Sequence, residues 1–251
     1  MSAIHIVQLY PDLLGVTGDK GNVDVLATRA QLAGVDATIT RASVGDTAAG
    51  RADVIVIGNG PLSAMRAVCD DLSARRAWLE EQHSDGAQIF AVGGGAELLS
   101  RGVDLVDGGS LEGLGMIPAR VARTRERRVG YLVAETPDGV LVGFEDHASL
   151  WRIDADSDLA MRYGRVRAGH GSVAGGFETI VTDGIHATNV QGPVLPLNPW
   201  LADRLLTRAA TRVGLTYAPG AAHAAIDVNA DAARADIERL ATEKHFTAIQ
   251  L

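Results

Sequence analysis

The sequence predicts an α/β fold: a mostly parallel sheet with helices on both faces. Three observations lead there. In the first hundred residues, short Val/Ile-rich runs alternate with segments of helical periodicity, the pattern of a parallel sheet covered on both sides. Two of those runs end in glycine-rich turns, Gly58-Asn59-Gly60 and Gly93-Gly94-Gly95. Hydrophobic residues make up 47% of the chain while aromatics make up only 4%, so the core is built from small and branched side chains that let helix and strand approach closely.

The elements follow in order. The apolar run at 4–9 reads as a buried strand ended by Tyr10-Pro11-Asp12. Residues 15–21 form a loop, and Asn22 is placed to cap a helix over 23–33. Strands follow at 35–39 and 53–57. The second feeds the turn at 58–61 and a helix reaching residue 82. A strand at 88–92 runs into the triple glycine and a helix at 96–100. Beyond residue 115 the spacing changes to hairpin-like strands at 129–134, 139–144, 177–182 and 184–190, with turns such as Pro137-Asp138-Gly139. Pro199 opens a helix to about 213, and Asn229 is placed to cap a last helix to 243. Residues 1–213 are expected to form the main domain. Residues 214–251 form a C-terminal extension packed on it, with 214–227 the loosest connection.

Composition excludes several classes. The chain has 251 residues, 31 acidic against 23 basic, for a net charge of −8, which argues against binding nucleic acid or an anionic membrane. One cysteine leaves no disulfide framework and no cysteine-rich zinc site. No run approaches the length of a membrane span, and the N-terminus lacks the pattern of a signal peptide, so a cytoplasmic location is expected.

The residues capable of chemistry are few. In open α/β sheets ligands sit beyond the carboxyl ends of the strands, where both glycine turns fall; tight strand–helix packing explains the same glycines. The histidines form no H-x-x-x-H pair, so no metal site is expected. His147 follows Glu145-Asp146, which makes it either a tuned titrating group or a histidine bonded into the structure. Cys69, beside Asp70 and Asp71, has the wrong electrostatics for a nucleophile. Arg123, Arg125, Arg127 and Arg128 are either a solvated turn or a guanidinium grip for carboxylate or phosphate.

Taken in order, Leu9-Tyr10-Pro11-Asp12, Gly18-Asp19-Lys20-Gly21-Asn22, Gly58-Asn59-Gly60, Gly93-Gly94-Gly95-Ala96-Glu97, Gly143-Phe144-Glu145-Asp146-His147 and Gly192-Pro193-Val194-Leu195-Pro196 resemble one family. It is the cobyric-acid-synthase-like (CobB/CobQ-like) class I glutamine amidotransferases, in particular the GatD type, the amidotransferase subunit of lipid II isoglutaminyl synthase. The resemblance spans roughly 4–212. It implies a flavodoxin-like amidotransferase fold and a Mur-ligase-like (MurT-type) partner that uses ATP and receives ammonia. No cofactor is implied for the amidotransferase subunit itself.

The resemblance also implies a cysteine nucleophile at an elbow between strand and helix, served by a histidine before Gly-Pro. Here the matching residues are Gly93 and Gln191. Glycine offers no nucleophile, and a carboxamide moves no proton near neutrality. Pro61 further weakens the first oxyanion loop, since it has no N–H to donate. The remaining residues expected around a substrate are Gly58, Asn59, Gly60, Gly94, Glu97, Arg127 (assigned to a ligand carboxylate) and His147. Two functions follow as expectations: a non-glutaminase subunit supporting an amide ligase, or a stand-alone enzyme with altered chemistry in the same pocket, using Glu97, Glu145, His147 and His170.

Overall fold

The computed structural model describes residues 3–47, 50–155, 157, 161–243 and 249–250. The first half contains β1 (Ile4–Leu9), α1 (Asp19–Leu32), β2 (Ala37–Ala42), β3 (Val54–Ile57), α2 (Leu62–Ala74), α3 (Arg76–Ser84), β4 (Gln88–Val92), α4 (Gly94–Leu99), β5 (Gly102–Asp104) and β6 (Ser110–Glu112). The second half contains β7 (Ala119–Thr136), β8 (Gly139–Ile153), β9 (Met161–Ala168), β10 (Phe177–Thr182), β11 (Ile185–Thr188), β12 (Val190–Gln191), α5 (Val194–Leu197), α6 (Pro199–Arg212), α7 (Ala221–Glu243) and β13 (Ile249–Gln250).

One sheet runs through the molecule in the order β12-β8-β7-β9-β10-β11-β4-β3-β1-β2. The stretch β11-β4-β3-β1-β2 is parallel throughout. From β11 outward the pairing is antiparallel, and β7 and β8 form a long hairpin. β3 is apolar at every position, and its neighbours β1, β4 and β11 are buried along almost their whole length, because both faces of the sheet centre are covered. Val54 and Val56 face α1 and α6 through Val23, Leu26, Leu205 and Leu206. Ile55 and Ile57 face Met65, Val68 and Leu72 of α2 and Leu79 of α3. Each fully buried side chain of this size contributes about 1.5–3 kcal/mol.

Several elements differ from the sequence expectation. Helix α1 begins at Asp19, behind Gly18 in the left-handed region (φ 86°), so Asn22 is inside the helix rather than at its cap. Its side-chain oxygen instead accepts the Leu195 N–H at 2.9 Å, tying α1 to α5. The single helix expected up to residue 82 breaks at Arg75 into α2 and α3. There the Arg75 guanidinium turns back to Asp71 and to the Ser43 and Asp46 carbonyls. β7 and β8 are far longer than the strands expected at 129–134 and 139–144, because the arginine cluster is a bulged part of β7. β9 was not expected at all.

Helix α7 starts at Ala221, not after Asn229, and lies against the main sheet. Ile237 packs with Val133 and Val142, and Arg234 bonds the Val140 carbonyl at 2.8 Å and Asn198 Oδ1 at 2.8 Å. At its start, Asp227 meets the buried Arg29 of α1, which also holds Asp203 of α6 through two bonds of 2.7 Å. His223 bonds the Arg29 carbonyl at 2.9 Å. No described helix is long and apolar enough to cross a membrane.

Candidate functional site

The two glycine turns meet at the carboxyl end of the parallel strands. β3 delivers Gly58-Asn59-Gly60, and β4 delivers Gly93 and the start of α4. Contact this close requires glycine: a Cβ on Gly95 would lie 2.5 Å from the Gly58 carbonyl oxygen. Gly93 sits at φ 51°, ψ −119°, a conformation that L side chains rarely adopt and that re-aims the chain sharply from strand into helix.

The 58–60 turn is anchored from below. Asp19, fully buried at the start of α1, accepts the Asn59 N–H at 3.1 Å and the Thr17 hydroxyl at 3.1 Å. Burial raises its carboxyl above the ordinary aspartate range, against the pull of those bonds. The Asn59 carbonyl accepts the Val16 N–H at 3.2 Å, and its side-chain oxygen accepts the Gly94 N–H at 2.9 Å.

Above the turns lies a cleft of about 520 Å³. Of the residues expected around a substrate, Asn59, Gly60, Glu97, Arg127 and His147 line it, together with Gln191. Gly93 and Gly94 contribute backbone against the Asn59 side chain, while Gly58 packs on Leu14 and Asp19. Gln191 reaches the cleft from β12, paired with Phe144 of β8, and its Nε2 donates to the Asp146 carbonyl at 2.8 Å.

The arginines separate by role. Between Arg123 and Arg128 the register of β7 against β8 shifts. Arg123 turns inward, its Nη2 2.7 Å from Glu97 Oε2, an ion pair that lies off the hydrogen-bond direction. Arg127 also lines the cleft but is already held by Asp146 through bonds of 2.6 and 2.8 Å. Arg128 points elsewhere, to the Gly171 carbonyl. Arg123 was in the sequence cluster but not singled out, and Asp146, Thr17 and Asn189 of the lining were not anticipated as site residues.

Glu97 is almost wholly buried. Burial raises its carboxyl above the ordinary glutamate range, opposed by the charge of Arg123 and by Ser149 and His147. His147 is also buried, and neither ring nitrogen has a hydrogen-bond partner; its Nε2 is 3.6 Å from Glu145 Oε2. Glu145 is committed to His170 and the Gly171 N–H, at 2.8 and 2.9 Å. Burial alone would raise Glu145, but the nearby His147 ring, the His170 ring and the 170–171 backbone N–H groups leave it below its ordinary value. Cys69 lies on α2 away from the cleft lining, and burial, then Asp70, push its thiol up. No cluster of three or more His, Cys, Asp or Glu fit to hold a metal occurs among the described residues.

A parallel sheet core with an antiparallel extension, and a sharp strand-to-helix elbow under a strand-end cleft, is the architecture of class I glutamine amidotransferases. A glutamine amidotransferase from Thermotoga maritima superposes with a TM-score of 0.53, covering 96% of this chain and 93% of its own at 9% identity. The chain belongs to the CobB/CobQ-like glutamine amidotransferase family, whose domain model matches residues 5–196. It is similar to the GatD subunit of lipid II isoglutaminyl synthase (glutamine-hydrolyzing) from Staphylococcus aureus strain N315, 27% identical over 226 residues, 87% of this chain and 89% of that protein. The corresponding subunit from Streptococcus pneumoniae strain R6 is 29% identical over 215 residues, 82% of this chain and 80% of that protein.

Proposed function

We propose that this chain is an amidotransferase-like subunit that no longer hydrolyses glutamine and that supports a Mur-ligase-like, ATP-using amide ligase in the cytoplasm. One observation carries the reading. Where the family chemistry needs a thiolate and a proton carrier, the elbow residue is Gly93 and the second residue is Gln191, whose amide is spent on the Asp146 carbonyl. Losing the nucleophile or the base of such a unit costs about as much as losing all of it. The preserved fold, shared along most of the GatD sequences, supports retention of a role beside a ligase partner.

Affinity purification of the chain from its own cells, with mass spectrometry of what accompanies it, tests the reading. A stoichiometric Mur-ligase-like protein and no glutamine-derived adduct on this chain are expected. An adduct overturns the loss of glutaminase, and a chain that elutes alone overturns the partnership.

A second reading is favoured by His147 and Glu97, two buried titratable groups on the cleft wall. Under it the chain is itself an enzyme with altered acid–base chemistry, and an amide or amino-acid substrate shows a bell-shaped pH–rate profile that His147→Gln abolishes.

A further inference from the structure

The elbow has no side chain of its own, yet the space is filled. An ideal Cβ on Gly93 would lie 2.1 Å from Asn59 Oδ1, 2.5 Å from Asn59 Cγ and 3.0 Å from Asn59 Cβ. The Asn59 carboxamide therefore occupies the volume that any residue-93 side chain would enter. The same oxygen accepts the Gly94 N–H at 2.9 Å. In acyl-transfer sites built on such an elbow, the backbone N–H of the residue after the nucleophile is a donor to the developing oxyanion. Here that donor is already engaged by the protein.

Asn59 has little freedom to leave by moving its backbone. Its N–H is held by Asp19, which is buried among Thr17 and Gly58, and its carbonyl by the Val16 N–H. Rotation of the side chain is the one route, and it strands the Gly94 donor unless something replaces the amide oxygen.

We propose that Asn59 is a built-in latch: its carboxamide seats in the elbow as an internal ligand, filling the residue-93 volume and engaging the Gly94 N–H, and so closes the site to an external carboxamide. The proposal rests on the reading of a silent amidotransferase site and adds how that site is kept shut. The loss then lies in two places. Gly93 removes the nucleophile, and Asn59 removes its seat and its oxyanion donor together.

The test uses the full chain with Cys69→Ser, so that a new thiol at the elbow is the only one. Alkylation by iodoacetamide, itself a small carboxamide, is timed by mass spectrometry in Gly93→Cys and in Asn59→Ala/Gly93→Cys. Removing the Asn59 side chain is expected to speed modification at least tenfold. Equal rates overturn the latch.

A second measurement needs no cysteine and covers the case in which Gly93→Cys fails to fold. Hydrogen exchange of the Gly94 amide is compared in the native chain, Asn59→Ala and Asn59→Asp. At least tenfold faster exchange at Gly94 is expected in Asn59→Ala only, with Gly95, bonded to the Gly58 carbonyl, unchanged. Asn59→Asp keeps an acceptor oxygen and is expected to restore protection. Unchanged Gly94 exchange, or loss at Gly94 and Gly95 alike, overturns the proposal. Glutaminase activity of the native chain is read separately. Activity there defeats the silent-subunit reading, whereas a silent native chain with fast Gly94 exchange defeats the latch alone.

Discussion

Arg123 and Glu97 meet on the cleft wall with Nη2 2.7 Å from Oε2, joining the bulged hairpin strand to the helix that follows the elbow. Arg123→Ala leaves a buried carboxylate without its cation and is expected to cost about 3 kcal/mol in urea unfolding at pH 7. Glu97→Gln in the same background recovers part of that, because a neutral amide needs no counter-charge. Glu97 titrates above its unfolded value, so its contribution is full below the unfolded pKa and is lost as pH rises through the folded one. The deficit of Arg123→Ala accordingly shrinks on going from pH 7 to about pH 4, where Glu97 takes a proton instead.

His186 on β11 is buried, and both ring nitrogens lack hydrogen-bond partners. Burial, then the charge of Arg208, lowers its pKa from 6.5 to about 4. Above pH 6.5 the ring is neutral in both states and pH has no leverage through it. As pH falls from there, the unfolded chain takes the proton and the folded one does not, so stability is progressively lost, by about 3 kcal/mol once pH 4 is reached. His186→Leu should remove that share of the acid sensitivity. Identical pH slopes for the two proteins between 6.5 and 4 would contradict it.

Arg29 is buried and holds Asp203 and Asp227 at once. Arg29→Ala is expected to destabilise the chain by about 3–5 kcal/mol and to open the start of α7 to proteolysis first, since two carboxylates then face each other across the same gap. Limited proteolysis with mapping of the first cut checks this. A first cut within the β7–β8 hairpin would contradict it.

Gly95→Ala places a Cβ 2.5 Å from the Gly58 carbonyl oxygen and 2.7 Å from Ile57 Cγ2, and backbone gives way poorly. A cost of about 3 kcal/mol is expected. Gly220→Ala, where nothing lies within 4 Å, is the control and should leave stability within about 0.5 kcal/mol.

The sequence made the parallel core legible because β1, β3 and β4 are short, mostly apolar runs closed by turn residues, a signature few other elements share. β9 was invisible because Met-Arg-Tyr-Gly-Arg-Val-Arg-Ala mixes charge and glycine into a strand whose partners, not its composition, make it one. Of the site, the two glycine turns could be placed at strand ends, but not the seating of Asn59 against Gly93, which exists only once β3 and β4 are neighbours. Arg123 and Arg127 are chemically identical in the sequence. Only the register shift in β7 decides that one meets Glu97 and the other Asp146.

The Arg29 clasp joins residues separated by 174 and 198 positions along the chain. At a synthesis rate of roughly 5–20 residues per second, about 10–40 s pass between the making of this arginine and of its last carboxylate partner. Throughout that interval α1 carries a cation that the finished protein buries, so the growing chain holds an unneutralised charge in what becomes its interior. A ribosome stalled before Asp227 emerges would therefore present a β-sheet core without its clasp, a species for chaperones to hold rather than a smaller working protein.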